Sequence, residues 1–444
     1  MTVSRTICLG FLAVISIGTI LLMLPISTSD GSWNNFVTAL FTSTSAVCVT
    51  GLIVVDTGSY YSPVGEFLIA LLIQVGGLGY MTATTFLLLL LGRKFKLKEK
   101  LAIQQSLDTP GMAGVAGLVR SIIAMTLVFE LTGVFLLLLV FVPKHGFNYG
   151  LWLSIFHSIS AFNNAGFSLF SDSLMGYADS SILILTISLL IIFGGIGYQV
   201  IMAMFLWLRD RLTRRSERGL FSLHFKIVTT TTLFLLIVGT LAFFSTEVNN
   251  PDTLAPLNFE GKLLGAWFQS VTTRTAGFNS IDIAAMTPAA IFITIPFMFV
   301  GASPGSTGGG IKTTTARILV ICTKAVLQGR EQALCFQRQI PVEMILKAVG
   351  VVVGSIGTTI AAIILITLTD PNLPFIEIMF EVVSAFATVG LSMGITASLS
   401  TPAKLILVVT MYVGRVGILM LMSALHGDPR PTTIRYPEED LLVG

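Results

Sequence analysis

Long stretches of nearly unbroken apolar residues alternate with short polar segments along this chain. The runs at residues 7–24, 122–142, 182–208 and 348–368 each reach about 18 residues or more, enough to cross a hydrocarbon core as helix. The polar segments are of two kinds. Residues 93–100 (RKFKLKEK) and 209–218 (RDRLTRRSER) each carry five basic residues, and Lys324, Arg330 and Arg338 follow the third pair of runs. Residues 25–67 and 246–261 contain no Lys or Arg, and the first of these holds Asp30, Asp56 and Glu66. Basic loops stay on the cytoplasmic side. The alternation therefore predicts that both termini are cytoplasmic and that the number of crossings is even.

The acidic-side segments repeat. FTSTSAVCVTGL (41–52), FHSISAFNNAGF (156–167), WFQSVTTRTAGF (267–278) and FEVVSAFATVGL (380–391) each begin with an aromatic residue and place a glycine ten residues on. Those glycines, Gly51, Gly166, Gly277 and Gly390, lie 115, 111 and 113 residues apart. A second glycine signal follows each: QVGGLGYM (74–81), IFGGIGYQ (192–199), FVGASPGS (299–306) and YVGRVGIL (412–419). No single copy is specific, but four in register at one period are. The predicted fold is an all-α polytopic membrane protein. Four units of spanning helix, short pore helix and second spanning helix give eight spans and four re-entrant pore loops around one central pore. The predicted boundaries are 1–100, 101–220, 221–335 and 336–425, with a cytoplasmic tail at 426–444.

A helix of about 10 residues rises only about 15 Å, so the short stretches before the glycines enter the membrane and stop. Non-helical backbone at that depth must be buried in protein or line a water-filled path. Four inward helix C-termini present partial negative charge, which favours a cation. Glycine allows the chain to turn back with its carbonyls facing the axis and keeps side chains out of the lumen. Carbonyl rings can replace the water shell of potassium. The candidate ring residues are Val49, Thr50 and Gly51; Asn164, Ala165 and Gly166; Thr275, Ala276 and Gly277; and Thr388, Val389 and Gly390. The competing reading is four turns that merely pack helices.

Composition agrees with a membrane class: 54% of the 444 residues are apolar and 11% are charged, against about 25% charged in soluble domains. A net charge of +3 gives no indication of nucleic-acid binding. Cys8, Cys48, Cys322 and Cys335 form no close pair, so neither a disulfide framework nor a zinc site is expected. The first apolar run is longer than a signal-peptide core and lacks an A-x-A-like site, so it is read as the first span. No acid, base and nucleophile constellation is present, and no enzyme is expected.

With its four glycine turns, TTRTAGFNSID at 272–282 and GASPGSTGGGIKT at 301–313, the whole chain resembles the Trk/Ktr/HKT superfamily of potassium transporters. It is most similar to the membrane subunit of bacterial Ktr systems, because its first unit begins by residue 7 without extra N-terminal helices. The resemblance implies potassium uptake across the plasma (inner) membrane, one pore per subunit and a homodimer. It also implies a cytoplasmic ring of nucleotide-binding regulatory subunits and activation by sodium, with no bound cofactor. The alternatives are a sodium-selective or sodium/potassium-coupled transporter and a structural subunit of an ion-pumping complex. Sodium-preferring plant relatives often carry serine at the first-unit glycine; Gly51 here favours potassium.

Residues 301–312 break the third unit's second helix with five glycines and Pro304. Ile311 between Gly310 and Lys312 spoils the G-x-x-x-x-G-K-[ST] spacing of a phosphate loop. The resemblance makes this an intramembrane gate formed by Ala302, Ser303, Pro304, Gly305, Ser306, Thr307, Gly308, Gly309 and Gly310. It adds Arg415 from the last span, at the position of Gly77, Gly195 and Ala302 in the other units; the alternative is an arginine that snorkels to the interface. Arg274 is expected behind the filter, bonded to pore-helix acids such as Glu381. Glu130 and His157 are expected to be packing residues.

Overall fold

A computed structural model describes residues 3–79, 115–213 and 221–427. Residues 93–100 and 214–218 of the basic segments, and 428–444 of the expected tail, lie outside the described residues. Four helices are long and apolar enough to cross a bilayer, or up to six if each bent pair counts as one. The protein is a multi-pass, all-α membrane protein, with one two-stranded hairpin among the described residues.

The long helices are α1 (Val3–Met23), α4 (Val115–His145), α8 (Leu223–Glu247) and α12 (Val342–Thr369). Each is followed by a short helix packed against it: α2 (Phe36–Val47), α5 (Phe147–Phe162), α9 (Phe259–Thr272) and α13 (Phe375–Phe386). The Asn35 side chain caps α2 by accepting from the Val37 amide at 2.8 Å, and Asn258 caps α9 by accepting from Gly261 at 2.7 Å. A free first-turn amide thus finds an acceptor in each.

Second helices follow: α3 (Pro63–Leu78), α6 (Ser181–Ile196), α10 (Pro288–Phe299) and α14 (Thr401–Val416). Beyond three of the breaks come α7 (Tyr198–Leu212), α11 (Thr313–Leu327) and α15 (Ile418–His426). The hairpin strands, β1 (Leu334–Cys335) and β2 (Arg338–Gln339), pair antiparallel after α11.

Small polar residues of the short helices are buried together with the apolar core, and the faces of the long helices turned outward are apolar, as lipid demands. Ser43, Ser45, Ser158, Ser160, Ser270 and Thr272 on the short helices are fully buried, while Leu131, Phe135, Leu241 and Leu368 on the long helices are exposed. Long and short helices meet through small residues. Ser43 donates to the Ile15 carbonyl at 2.8 Å, Ser158 to Glu130 at 2.7 Å and Ser270 to Leu236 at 2.9 Å. Gly18, Gly133 and Gly239 leave the room for these serines. In the fourth unit Val382 stands where the other three have serine.

Three of the second helices stop at matching glycines and that of the third unit about one turn earlier, which differs from expectation. The run at 182–208 is not one straight span: it breaks at Gly197 (φ 96°), and α7 leaves α6 at 104°. Gly417 (φ 85°) does the same between α14 and α15, with a 94° bend, and Gly79 (φ 77°) ends α3. Left-handed backbone at a single glycine is enough to break an apolar helix. The break in the third unit, from Phe299 to Thr313, therefore has counterparts in the second and fourth units and differs from them in length.

Gly76, Gly194 and Gly414 lean on the last carbonyls of their own units' short helices, those of Val47, Phe162 and Phe386. A Cβ has no room there. Gly194→Val is expected to lower stability by about 1–3 kcal/mol, the usual cost of overpacking. The measurement is the temperature at which detergent-solubilised protein loses its monodisperse chromatographic peak, which should fall relative to the parent.

Candidate ion pathway

After each short helix the chain reverses in the same way. The amides of Thr50, Ala165 and Val389 bond back to the carbonyls of Ser45, Ser160 and Ser384, each at 2.8 Å; in the third unit Ala276 bonds to Thr272 at 3.0 Å. That third turn is one residue shorter than the others. The aromatic that opens the repeated motif in register is therefore the fully buried Phe268, matching Phe41, Phe156 and Phe380. The alignment on Trp267 is off by one residue, because counting back from Gly277 cannot see a deletion inside the turn.

Val49 (φ 58°), Asn164 (φ 59°), Thr275 (φ 70°) and Thr388 (φ 51°) are left-handed in all four turns. Such backbone is uncommon for residues with a side chain and costs about 1–3 kcal/mol each. Two residues on, Gly51, Gly166, Gly277 and Gly390 also have positive φ, between 69° and 92°.

The four glycines close a ring. A Cβ on Gly51 would lie 2.5 Å from the Ala165 carbonyl oxygen, and one on Gly166 would lie 2.7 Å from that of Ala276. One on Gly277 would meet the Val389 carbonyl, and one on Gly390 would meet that of Thr50. The Gly277 Cβ would also stand 3.2 Å from the Cα atoms of both Gly166 and Gly390. It would occupy the space the four turns enclose. The structure thus brings together all twelve residues singled out in the sequence.

Behind the ring, the Asn163 amide donates to Gln74 Oε1 at 3.0 Å and to Glu130 Oε1 at 3.1 Å, tying α3 and α4 to the end of α5. Asn164 and Thr275 stand 3.2 Å apart between adjacent turns. His157 is buried with one ring nitrogen 2.8 Å from the Leu153 carbonyl and the other 3.0 Å from Ser168, which makes it a packing residue. Arg274 does not meet Glu381. It turns toward α8, where Nη2 lies 3.4 Å from the Thr232 hydroxyl. Glu381 is instead engaged by the hydroxyls of Ser392, at 2.8 Å, and Thr396.

Residues 301–312 lie directly against the ring. The stem is held by Gly301 donating to Ile311 at 2.9 Å. The body crosses to the second unit: Ser303 donates to the Gly195 carbonyl at 3.0 Å, Thr307 to Gly194 at 3.2 Å, and Tyr198 to the Gly305 carbonyl at 3.0 Å. Gly308 abuts Thr275, and the Gly309 amide donates to the Thr388 hydroxyl at 3.1 Å. Arg415 donates to the Thr307 carbonyl and, from the same guanidinium, to the Gly76 carbonyl at the end of α3. Opposite it, Lys312 Nζ donates to the next loop carbonyl, Gly308, at 2.6 Å. The loop thus touches the second, third and fourth units directly and is tied to the first only through Arg415. Arg415 is half-buried, with its guanidinium held inside the protein by these bonds.

Gln74, Asn163 and Lys312 were not singled out as site residues. All three stand inside quoted motifs, but nothing in one sequence says that Gln74 and Asn163 meet across units or that Lys312 folds back onto its own loop. The helix end at Gly79 and the breaks at Gly197 and Gly417 had a visible signal, the last glycine of GGLG, GGIG and GRVG.

Residues 3–426 match the family TrkH, described as cation transport protein. The chain is 41% identical over 444 residues to Ktr system potassium uptake protein B of Bacillus subtilis, covering all of this chain and 97% of that one. It is 40% identical to the protein of the same name in Vibrio alginolyticus, over 99% and 94% of the two chains. It is 38% identical to the potassium/sodium uptake protein NtpJ of Enterococcus hirae, over 99% and 97%. Among solved structures, the potassium transporter TrkH from Vibrio parahaemolyticus shares the fold with a TM-score of 0.70 at 20% identity, over 94% of this chain and 84% of that one.

Proposed function

The chain belongs to the TrkH family of cation transport proteins, and on that premise we propose that it takes up potassium across the plasma membrane through a central pore. The observation that carries this is the closed ring of Gly51, Gly166, Gly277 and Gly390, each glycine facing the next turn's carbonyl. Val49–Gly51 and its three counterparts form the selectivity filter, whose carbonyls stand in for the water of a dehydrated potassium ion. The C-termini of α2, α5, α9 and α13 supply partial negative charge there. Four units, at 1–100, 101–220, 221–335 and 336–425, each contribute a long helix, a pore helix and a broken second helix, giving eight spans with both termini cytoplasmic.

Residues 302–310 with Arg415 form the gate below the filter. Their bonds support this role, since the segment is fastened to three units and Arg415 ties it to the first. The names of the Bacillus and Vibrio relatives support potassium as the ion. The name of the Enterococcus relative supports a part for sodium, here as an activator. A homodimer docked on a cytoplasmic nucleotide-binding ring completes the transporter; this part rests on the resemblance to Ktr systems.

The test is expression in a bacterium that lacks its own potassium uptake. Growth at low potassium and rapid potassium accumulation, stimulated by sodium and by the co-expressed regulatory subunit, are the expected results. Accumulation no faster than in the empty host, with the protein present in the membrane, would refute the proposal.

A further inference from the structure

Helix α11 carries a site that the ion pathway does not use. Its C-terminal half and the β1–β2 hairpin enclose a cavity of about 350 Å³ whose lining includes Arg317, Lys324 and Arg330 and no Asp or Glu. None of the three cations has an acidic partner among the described residues, and Arg317 Nε is buried from solvent without an acceptor. A second cavity of about 490 Å³ adjoins the first and shares Val320, Lys324 and Gln328 with it; Leu319 and Leu327 make it mainly apolar. The pair therefore presents a cationic chamber that opens onto an apolar groove.

The chamber is built rather than incidental. The hairpin folds back so that Cys335, Ala333 and Ile340 bury against Ala325 and Ile227, and Lys226 of α8 lies over the Phe336 ring at 5.8 Å. Depth is also right. A helix of 15 residues rises about 22 Å, and α11 starts at the loop below the ring. Half of a hydrocarbon core is about 15 Å, so with α11 along the membrane normal Lys324 and Arg330 reach the headgroup level, and Arg317, about two turns deeper, lines the same cavity from below.

We propose that the cavity and groove bind one anionic phospholipid, its phosphate held by Arg317, Lys324 and Arg330 and an acyl chain laid along the apolar groove of α11. Basic pockets at the inner membrane face suit such headgroups, guanidinium groups match phosphate geometry, and the groove gives the tail a place that a free anion would not need. Because Thr313, the first residue of α11, bonds to Ala302 and Ser303 of the loop, the lipid sits on the same helix that anchors the loop.

The test is native mass spectrometry of the purified full chain in detergent, titrated with phosphatidylglycerol or phosphatidylcholine; it needs no transport. The parent should retain phosphatidylglycerol about fivefold or more over phosphatidylcholine. R317Q/K324Q/R330Q should lose that preference, whereas R317K/R330K should keep it within about twofold. If the triple variant is not monodisperse, R317Q and R330Q singly should each halve the preference. Equal retention of the two lipids by the parent, or an unchanged preference in the glutamine variants, would overturn the proposal. Displacement of phosphatidylglycerol by millimolar inorganic phosphate would also overturn it, and would mark a site for a free anion.

Discussion

Gly277→Ser is expected to lower potassium affinity and to narrow the preference for potassium over sodium by about tenfold or more, equivalent to about 1.4 kcal/mol. The argument is steric and conformational. Gly277 has φ 78°, and a Cβ there would press on the Val389 carbonyl and stand 3.2 Å from the Gly166 and Gly390 Cα atoms. A Cβ in left-handed backbone costs about 1–2 kcal/mol, so the turn would shift or the hydroxymethyl group would enter the lumen. Either change spoils a ring of carbonyls that has to match one ion radius. The neighbouring turns cannot absorb it, because each glycine abuts the next. The measurement is initial uptake of potassium and sodium by cells with matched amounts of protein in the membrane. Serine variants at all four glycines that kept the parent's uptake and selectivity would remove the filter assignment.

Excising several residues from within 302–310 should act in the opposite direction, raising potassium flux several-fold with selectivity intact. The loop is fastened below the ring by Ser303, Gly305, Thr307 and Gly309 to α6, α7 and Thr388, and by Arg415. Each hydrogen bond contributes about 0.5–1.5 kcal/mol, so losing two or three of them shifts a closed–open equilibrium by about fivefold or more. The stem makes the change tolerable. Gly301 already bonds to Ile311 at 2.9 Å, so the ends of α10 and α11 stay in place when the body is shortened. Arg415→Ala should raise flux by less, because it removes one anchor and leaves Lys312 on Gly308. Flux that is unchanged or reduced in a well-expressed shortened protein would show that the loop is not a gate.

The chemistry of the pathway was legible in the sequence because it is carried by the backbone. A turn that needs left-handed conformation beside another turn admits little but glycine, and such a requirement leaves a mark at every unit. The same logic marked residues 301–310, where five glycines and a proline cannot propagate a helix. Apolar runs of spanning length and the one-sided distribution of Lys and Arg are likewise local properties, so they gave the membrane class directly.

What the sequence left open depends on side chains that cross between units. Arg274 and Glu381 look like partners on paper, yet Glu381 is satisfied by two hydroxyls of its own unit and Arg274 points to α8. Buried hydroxyls can satisfy a carboxylate without any cation, and no spacing rule records that choice. The one-residue shortening after α9 was hidden for a related reason. It preserves the glycine and moves the aromatic, and only the packing of Phe268 in the place of Phe41, Phe156 and Phe380 reveals it. The bends at Gly197 and Gly417 were invisible to hydropathy, which reports how apolar a run is but not its direction. The sequence by itself determined which residues turn the chain and which segments meet lipid, because those are properties of single residues and short windows. The tertiary structure alone decided which carbonyl each glycine faces, which loop Arg415 holds and where three unpaired cations converge, because those contacts join residues more than one hundred positions apart or on opposite sides of a folded hairpin.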